Sequence, residues 1–435
     1  MKDKNGFISM SLVYSFLIVF LFLMMAIINC YLKKNTYLEA LNEQVSKDIG
    51  ITRNAKASVL TTILEENVAM QTTTINFSKI SNNTSKNGNG LYYIESTEMT
   101  DENNDGYGAK IYFFRGAVNN NNVVFGSKIT RNGSGKVDST KDLCWKIIRT
   151  NEDGSIRLIY NGEKSGSSCP GTTPYITSSV FNENSDSNAY VGYTYGQPGN
   201  KNSAKSDNEK YLEEHYHTDS GEVFNSKIKQ VLDNYFLNST LFYYSTELNY
   251  EPASSSVTVK MRDKSIKNAI YCADRTIYDP LSPRIMTGGL INSLGYSISE
   301  TQYAASNFVN NPTFMCDQSI DKYTLRVISG GTNENLNALT YGIGLPTMAD
   351  VVFAGGSISA NNTGYYLRTT DAYWTMTPYQ FDELNGAQVA AVDGNGKILP
   401  KTVTSSLKVR PVISIDQKTL VLRGSGLEND PYILE

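Results

Sequence analysis

Two groups of polar residues have the types and spacing that can hold a metal ion. In the first, Asp101, Asn103 and Asp105 stand at the first, third and fifth positions of a calcium-loop pattern, and Gly106 permits the sharp turn. The twelfth position is Tyr112 instead of the glutamate whose two oxygens complete such loops. Turn-forming residues between two strands explain the same letters. We therefore favour a turn without a cofactor and keep calcium as the weaker alternative.

His215 and His217 are the only histidines of the chain and form the second group. With the acidic side chains of Glu213, Glu214 and Asp219, this pair can bind zinc or another divalent ion. The surrounding segment is polar and holds no cysteine, which favours a solvated loop over a metal site. Any mechanism that needs a histidine base must use this loop.

The sequence lacks the motifs of common catalytic sites. It has no Gly-x-Ser-x-Gly elbow, no glycine loop for phosphate, no His-Glu-x-x-His and no paired-cysteine redox motif. The formal net charge is −4 and 19% of the residues are charged, whereas a nucleic-acid surface needs clustered Lys and Arg. We predict a protein that is not an enzyme and binds no nucleic acid. A metal-dependent enzyme built on the two histidines is the weakest hypothesis.

Four of the five cysteines lie far from the N-terminus, at Cys144, Cys169, Cys272 and Cys316. They lack the spacing of a zinc site, and an even set of this kind in an exported chain predicts two disulfides. We expect the pairs to join neighbours in sequence, Cys144 with Cys169 and Cys272 with Cys316. The alternative is four reduced thiols in a cytosolic domain. We favour the disulfides and, with them, an oxidising compartment.

An apolar run near the N-terminus predicts how the chain reaches that compartment. From Gly6 to Leu32 no residue is charged, and the stretch from Met10 to Ile28 is long enough for a helix that crosses a bilayer. A secretory signal has a shorter apolar core and a small-residue cleavage site, which this run lacks. Lysines flank both ends, so the orientation is inferred from the cysteines. We predict a single-pass helix over residues 7–32 in the cell membrane, with the C-terminal domain extracellular.

The residues before this run resemble the processing site of type IV prepilins and pseudopilins. The stretch from Lys4 to Phe7 matches a basic leader that ends in Gly, so the resemblance implies cleavage between Gly6 and Phe7. The family usually carries a glutamate five residues into the mature helix, where this chain has Ser11. We favour an uncleaved anchor with residues 1–6 as a basic leader.

Helical spacing of apolar residues continues after the membrane helix, from Leu38 to Ile49 and from Val59 to Val68. It predicts a helical stalk over residues 33–75 or an amphipathic helix packed on the following domain. Polar, turn-rich sequence then predicts a linker and a first strand over residues 76–106. The main domain is expected to run from 107 to 435.

Two β-hairpins are predicted in the first half of the main domain. Apolar runs between residues 110 and 128 flank the four asparagines Asn119–Asn122. The same pattern recurs between residues 144 and 162 around Asp153-Gly154, a pair that favours a tight turn. Abundant aromatic and β-branched residues also suit strands.

Two helices and a strand meander are predicted in the second half. One helix has apolar residues on one face between residues 228 and 236. The other follows Thr347, which can cap it together with Asp350, and ends at Gly355. A meander with a turn at Asp393 then leads to the C-terminus. The fold class is therefore α+β and strand-dominated.

The C-terminal region carries the most specific pattern. Trp374, followed by Pro378 and later by Arg410-Pro411, resembles the ending of an uncharacterised family of surface domains that is common in low-GC gut bacteria. This ending is also similar to the core of the C-type-lectin-like fold, which formylglycine-generating enzymes share. The resemblance covers most of residues 107–415. It implies structural roles: Trp374 in a central strand, Arg410 hydrogen-bonded under a hairpin and Pro411 at an edge or bulge.

This resemblance implies binding without catalysis. Formylglycine-generating enzymes hold copper with two cysteines near the end of the fold, whereas no cysteine follows Cys316 here. The Glu-Pro-Asn, Gln-Pro-Asp and Trp-Asn-Asp motifs of sugar-binding lectins are absent from the C-terminal region. We predict a surface domain whose loops bind an unidentified glycan or protein. The alternative is a pilin-like minor subunit or cap of a surface filament or secretion apparatus.

Overall fold

The computed structural model describes most of the predicted main domain and part of the sequence before it. These residues are 57–71, 75, 77, 89–95, 110–196, 198, 224–241, 266–267, 269–273, 285–286, 289–290, 296–297, 312–314, 316, 322–324, 339–382 and 384–435. Within these ranges no helix is long and apolar enough to cross a bilayer. The predicted leader, membrane helix and first part of the stalk, residues 1–56, lie outside them.

Strands dominate this part of the chain, which confirms the α+β, strand-dominated class. The helices are α1 (Val59–Glu66), α2 (Lys227–Leu237) and α3 (Met348–Ala354), with a 3-10 turn at Asn188–Val191. The first strands are β1 (Met70–Gln71), β2 (Gly90–Glu95), β3 (Lys110–Arg115), β4 (Asn122–Arg131), β5 (Val137–Thr150), β6 (Ile156–Glu163), β7 (Thr177–Ser179), β8 (Thr194–Tyr195), β9 (Phe224–Asn225), β10 (Tyr271–Cys272) and β11 (Ile285–Met286). The later strands are β12 (Gly289–Leu290), β13 (Tyr296–Ser297), β14 (Lys322–Tyr323), β15 (Ile343–Gly344), β16 (Tyr373–Asp382), β17 (Gly386–Val392), β18 (Ile398–Thr402), β19 (Leu407–Val409), β20 (Val412–Ile415), β21 (Val421–Arg423) and β22 (Tyr432–Leu434).

The larger sheet is built around the long strand β5. One edge of β5 pairs with β6, and the other pairs antiparallel first with β4 and then, near Arg149, with β3. Strands β3 and β4 thus lie end to end along one edge, so the predicted hairpin around Asn119–Asn122 is wrong. Asn121 bridges the gap, because its carbonyl accepts a hydrogen bond from the Ile147 amide and its side-chain amide donates to the Ile147 carbonyl, both at 2.9 Å.

The second predicted hairpin is confirmed. Strands β5 and β6 are antiparallel neighbours that register Thr150 with Ile156. In the turn between them the Asn151 amide donates to the Ser155 carbonyl at 2.7 Å, and Gly154 has a φ of 78°. A left-handed backbone of this kind suits glycine because it has no Cβ. The sheet then widens through β20 and β15 beside β6, through β2 and β1 beside β3, and through β22 and β21 beside β4.

The smaller sheet contains the predicted C-terminal meander. Its order is β18, β17, β16, β19 and β7, and β13 also pairs with β16. The β17–β18 turn is closed by the Asp393 amide, which donates to the Lys397 carbonyl at 2.9 Å. After β19 the chain leaves this sheet at Arg410-Pro411 and enters the larger one as β20.

The main hydrophobic core contains residues from both sheets and from helices α1, α2 and α3. The predicted helix around residues 228–236 is confirmed as α2, which buries Ile228, Leu232 and Phe236. Helix α3 is confirmed with its predicted cap: Thr347 and Asp350 form a capping box, and Gly355 ends the helix with a φ of 120°. Every residue of α3 is buried, so this short helix belongs to the core.

Helix α1 joins the beginning of the compact unit, residues 57–435, to its end. The Val59 amide donates to the Thr419 carbonyl at 2.8 Å, and the Val421 amide donates to the Ala57 carbonyl at 2.9 Å. Val59, Leu60 and Ile63 of the helix are buried in the core. We call residues 57–67 the N-terminal clasp. This part of the predicted stalk is an amphipathic helix packed on the domain.

Candidate ligand-binding surface

Trp374 lies in β16, between β17 and β19, and is completely buried. Its indole nitrogen donates a hydrogen bond to the Ser179 carbonyl at 2.9 Å, and its ring meets Phe181 edge-on with centroids 5.6 Å apart. A buried tryptophan is stable in such surroundings because its N–H is satisfied and its ring is packed. Trp374 thus occupies the interior strand position that the sequence predicted and offers no surface to a ligand.

Arg410 is buried and bonded to backbone carbonyls of three separate segments. Its Nε donates to Pro174 at 3.0 Å, its Nη1 to Leu367 at 2.7 Å and its Nη2 to Tyr160 at 3.2 Å. The guanidinium also lies 4.9 Å from the centre of the Tyr373 ring. Burial lowers the pKa of Arg410, and Tyr373 partly offsets that effect. Arg410 therefore contacts both sheets, the larger through Tyr160 of β6 and the smaller through Tyr373 of β16, at the point where the chain crosses between them.

The two motif prolines stand where regular pairing breaks. Pro378 lies in β16 at a point where the register with β17 shifts. Pro411 falls in the interval between β19 and β20, and its carbonyl accepts a hydrogen bond from the Tyr160 amide at 2.8 Å. Proline has no N–H to donate, so such interruptions suit it.

A buried ionic cluster surrounds the first turn of α3, and the sequence did not indicate it. Asp350 Oδ1 lies 2.8 Å from Arg149 Nε, and Asp350 Oδ2 lies 3.2 Å from Arg157 Nη1. Burial alone raises the pKa of Asp350, but the charges of Arg157 and Arg149, with a hydrogen bond from the Thr347 amide, hold the pKa down at about 2. At the other end of α3, Arg115 donates to the Val352 and Phe353 carbonyls. These charges are used to hold α3 in the core.

Both predicted disulfides are present. Cys144 is bonded to Cys169, and Cys272 is bonded to Cys316, each with a Cα–Cα distance of 5.6 Å. Cys144 of β5 pairs with Val124 of β4, so the first bond ties the loop after β6 to the larger sheet. The second lies beside the short β10–β14 pair.

The other candidate residues lie outside the described ranges. Asp101, Asn103 and Asp105 belong to the connection between β2 and β3, and His215 and His217 belong to the connection between β8 and β9. The same is true of the candidate cleavage positions Gly6 and Phe7. Among the residues that the structure does describe, no group of three His, Cys, Asp or Glu side chains could hold a metal ion.

Three half-buried rings form a surface at the base of the β8–β9 connection. Tyr190 of the 3-10 turn meets Tyr195 edge-on with centroids 5.2 Å apart, and Tyr195 stacks on Phe224 with centroids 5.7 Å apart and planes 20° apart. Tyr195 and Phe224 are also a cross-strand pair of β8 and β9. We call Tyr190, Tyr195 and Phe224 the aromatic cluster.

Polar groups border the aromatic cluster. The Asn184 side-chain amide lies 3.4 Å from the Tyr190 hydroxyl. Exposed Glu183 and Lys227 form an ion pair of 3.3 Å, and the pKa of Tyr195 is raised by burial, by Tyr190 and by the negative charge of Glu183. An apolar face bordered by an amide, a carboxylate and an ammonium group can both stack on a ligand and exchange hydrogen bonds with it.

The aromatic cluster was missed because its rings are spread over two distant segments. Tyr190, Tyr193 and Tyr195 fall within six residues, which was the available signal, but Tyr193 is buried whereas Tyr190 and Tyr195 are not. Phe224 joins them only through the β8–β9 pairing. Comparison of the chain with models of protein families, with curated proteins and with solved structures found no match.

Proposed function

We propose that this chain is a membrane-anchored cell-surface protein that binds a glycan or protein ligand and performs no catalysis. The aromatic cluster with its polar border is the observation that carries the binding proposal. Tyrosine rings give a large contact area at little cost in conformational entropy, which is why they are frequent at recognition surfaces. The two disulfides support an oxidising, extracytoplasmic location for the domain.

The charge distribution supports the same proposal. The buried ionisable side chains of Arg149 and Arg157 both contact the Asp350 carboxylate inside the core. Arg410 is likewise occupied by backbone carbonyls. A C-type-lectin-like scaffold, with a structural core and a separate recognition surface, is our proposal for the finer fold class.

A binding experiment tests the role of the aromatic cluster. The full chain, solubilised from membranes, is applied to glycan and protein arrays, and each hit is repeated with Tyr195→Ala. Tyr175→Ala is the matched control, since Tyr175 is another half-buried tyrosine with a lysine, Lys408, 4.3 Å from its ring centre. We expect Tyr195→Ala to weaken binding on the order of tenfold or more, the loss typical of a contact residue above 1.4 kcal/mol. Equal binding by both variants would refute the assignment.

The pilin-like alternative rests on a separate observation, the leader-like sequence from Lys4 to Phe7. Mass spectrometry of the N-terminal peptide from the native membrane distinguishes the two functions. Phe7 as the first residue favours a processed filament subunit. A chain that still begins at Met1 contradicts it and favours the anchor.

A further inference from the structure

Strands β4 and β5 continue past the rest of the larger sheet as a two-stranded arm. Every residue from 130 to 142 is exposed, while the two strands remain in antiparallel register as far as Arg131 and Val137. The turn at the end of the arm is ordered by its own hydrogen bonds. The Asn132 amide donates to the Lys136 carbonyl, and the Gly135 amide donates to the Asn132 carbonyl, both at 2.9 Å.

Three donors converge on the side-chain carbonyl of Asn132. Asn132 Oδ1 accepts hydrogen bonds from the Ser134 amide at 3.1 Å, from the Ser134 hydroxyl at 2.7 Å and from the Lys136 amide at 3.0 Å. Donors placed in this way withdraw electron density from a carbonyl carbon and stabilise an oxyanion that develops on its oxygen. The neighbouring positive side chains of Arg131 and Lys136 favour such an anion as well.

The next residue, Gly133, supplies an unhindered nucleophile. Gly133 is exposed, and a Cβ placed on it would meet no atom within 4 Å, so no neighbouring group crowds this residue on that side. In the described part of the chain this N–H makes no hydrogen bond, and neither does the Asn132 side-chain nitrogen. The attacking nitrogen of Gly133 and the leaving nitrogen of Asn132 thus make no hydrogen bonds, whereas Asn132 Oδ1 accepts three.

We propose that Asn132 is a site of spontaneous, site-selective modification, in which its amide is converted to a carboxylate. The deprotonated Gly133 nitrogen forms a bond to Asn132 Cγ, and the Cγ–Nδ2 bond breaks as ammonia leaves with the protons that water and the former N–H supply. The product is a five-membered succinimide. Addition of one water molecule opens this ring to aspartate or to isoaspartate, and no oxidant or reductant is involved.

Asn395-Gly396 and Asn161-Gly162, two of the other asparagine–glycine pairs in the described ranges, lack this arrangement. At Asn395-Gly396 the Gly396 amide donates to the Asp393 carbonyl at 2.9 Å. This hydrogen bond hinders loss of the N–H proton and attack by the Gly396 nitrogen. At Asn161-Gly162 the asparagine is buried inside β6. The fold therefore distinguishes Asn132-Gly133 from these two pairs, although all three are chemically alike in the unfolded chain.

The modification changes the charge of the arm without removing its turn. An aspartate at position 132 accepts the same three hydrogen bonds, and accepts them more strongly because the acceptor is ionised. It also places a negative charge between Arg131 and Lys136. Isoaspartate instead lengthens the backbone by one methylene group and disturbs the pairing of Asn132 with Lys136.

Peptide mass mapping of the full chain tests the proposal after incubation at mildly alkaline pH. We expect Asn132 to convert roughly tenfold faster than Asn395 in the same folded sample, the ratio that about 1.4 kcal/mol of barrier produces. In urea the two rates should become equal, since the difference comes from the fold. Equal rates in the folded sample would overturn the proposal.

Two variants separate the roles of the neighbours. Gly133→Ala keeps the turn, because its Cβ meets open space, but it obstructs the attacking nitrogen and should leave Asn132 intact. Ser134→Ala keeps the backbone donor and removes the hydroxyl donor, so conversion should slow by roughly tenfold, the effect of one hydrogen bond to a charged group. An unchanged rate in either variant contradicts the mechanism.

Discussion

Asp350 and Arg157 form an ion pair of 3.2 Å in which neither side chain has any contact with solvent. Arg149 adds a second bond to the same carboxylate at 2.8 Å, so two cations share one anion. The pair joins the N-terminus of α3 to strand β6. Because both arginines share this one carboxylate, loss of the anion affects both at once.

Asp350→Asn should destabilise the domain strongly although it changes a single atom type. The amide cannot neutralise Arg149 and Arg157, and leaving a buried charge without its partner costs about 3–5 kcal/mol. Urea unfolding followed by tryptophan fluorescence measures the loss. Asp371→Asn, at an exposed aspartate, is the control and should unfold with the parent. A stable Asp350→Asn would show that the cluster contributes little.

Stability should fall with acid in a window set by Asp350. Its pKa is lowered from 3.8 to about 2 in the folded chain, so the contribution is complete above about pH 4 and is lost as the pH falls towards 2. A difference of this size corresponds to roughly 2–3 kcal/mol. Unfolding free energies measured at a series of pH values test this. The Asp350→Asn variant should lack this part of the pH dependence, and an identical acid profile would contradict the assignment.

Trp374→Ala should lower the melting temperature sharply. Truncation of a buried aromatic side chain costs about 3–5 kcal/mol, a large part of the roughly 5–15 kcal/mol that stabilises a typical domain. Trp374→Phe retains much of the packing on Phe181 and loses the hydrogen bond to the Ser179 carbonyl. Its melting temperature should therefore lie between those of the parent and of Trp374→Ala. Calorimetry provides the measurement. A variant that melts like the parent but loses ligand would make Trp374 a binding residue.

Arg410→Ala should also destabilise the domain, for a reason other than a broken ion pair. Its removal takes a donor from the buried carbonyls of Tyr160, Pro174 and Leu367, and each buried group left without a partner costs about 1–3 kcal/mol. The Leu367 carbonyl is the exception, because it keeps the Tyr373 hydroxyl as a donor at 3.1 Å. Arg410→Lys restores the charge but cannot reach all three carbonyls with one ammonium group, so its melting temperature should be intermediate. If Arg410→Lys melts at the same temperature as the parent, the three hydrogen bonds of the guanidinium do not stabilise the domain.

The position where the domain begins can be tested with two fragments. A chain of residues 57–435 includes α1 and should unfold cooperatively, whereas one of residues 76–435 lacks Val59, Leu60 and Ile63 of the core. Loss of three such side chains amounts to several kcal/mol, at about 1.5–3 kcal/mol each. Denaturant unfolding of both fragments measures the difference. Equal denaturation midpoints of the two fragments would mean that α1 does not contribute to the stability of the domain.

Local sequence signals predicted local structure well. Asp153-Gly154 identified the β5–β6 turn, and Thr347, Asp350 and Gly355 identified both ends of α3 because capping chemistry depends on residues a few positions apart. The disulfide partners also followed from their order along the chain.

Arrangements that depend on distant partners were not predictable in this way. Apolar runs around Asn119–Asn122 look the same whether the chain turns back or continues, and only the contact with Ile147 decides between them. Arg149 and Asp350 are 201 positions apart, so no local pattern connects them. The aromatic cluster was unpredictable for the same reason, since Phe224 reaches Tyr195 through strand pairing alone.

The N-terminal clasp constrains the order in which the chain can fold during synthesis. Val59 is among the first residues of the domain to leave the ribosome, yet its acceptor at Thr419 is among the last. Strand β4 likewise pairs with β22, which is synthesised long after it. The backbone bonds between α1 and the end of the domain therefore form only after the last strands of the domain have been synthesised. Such late closure of distant contacts slows folding and prolongs the exposure of apolar surface to aggregation.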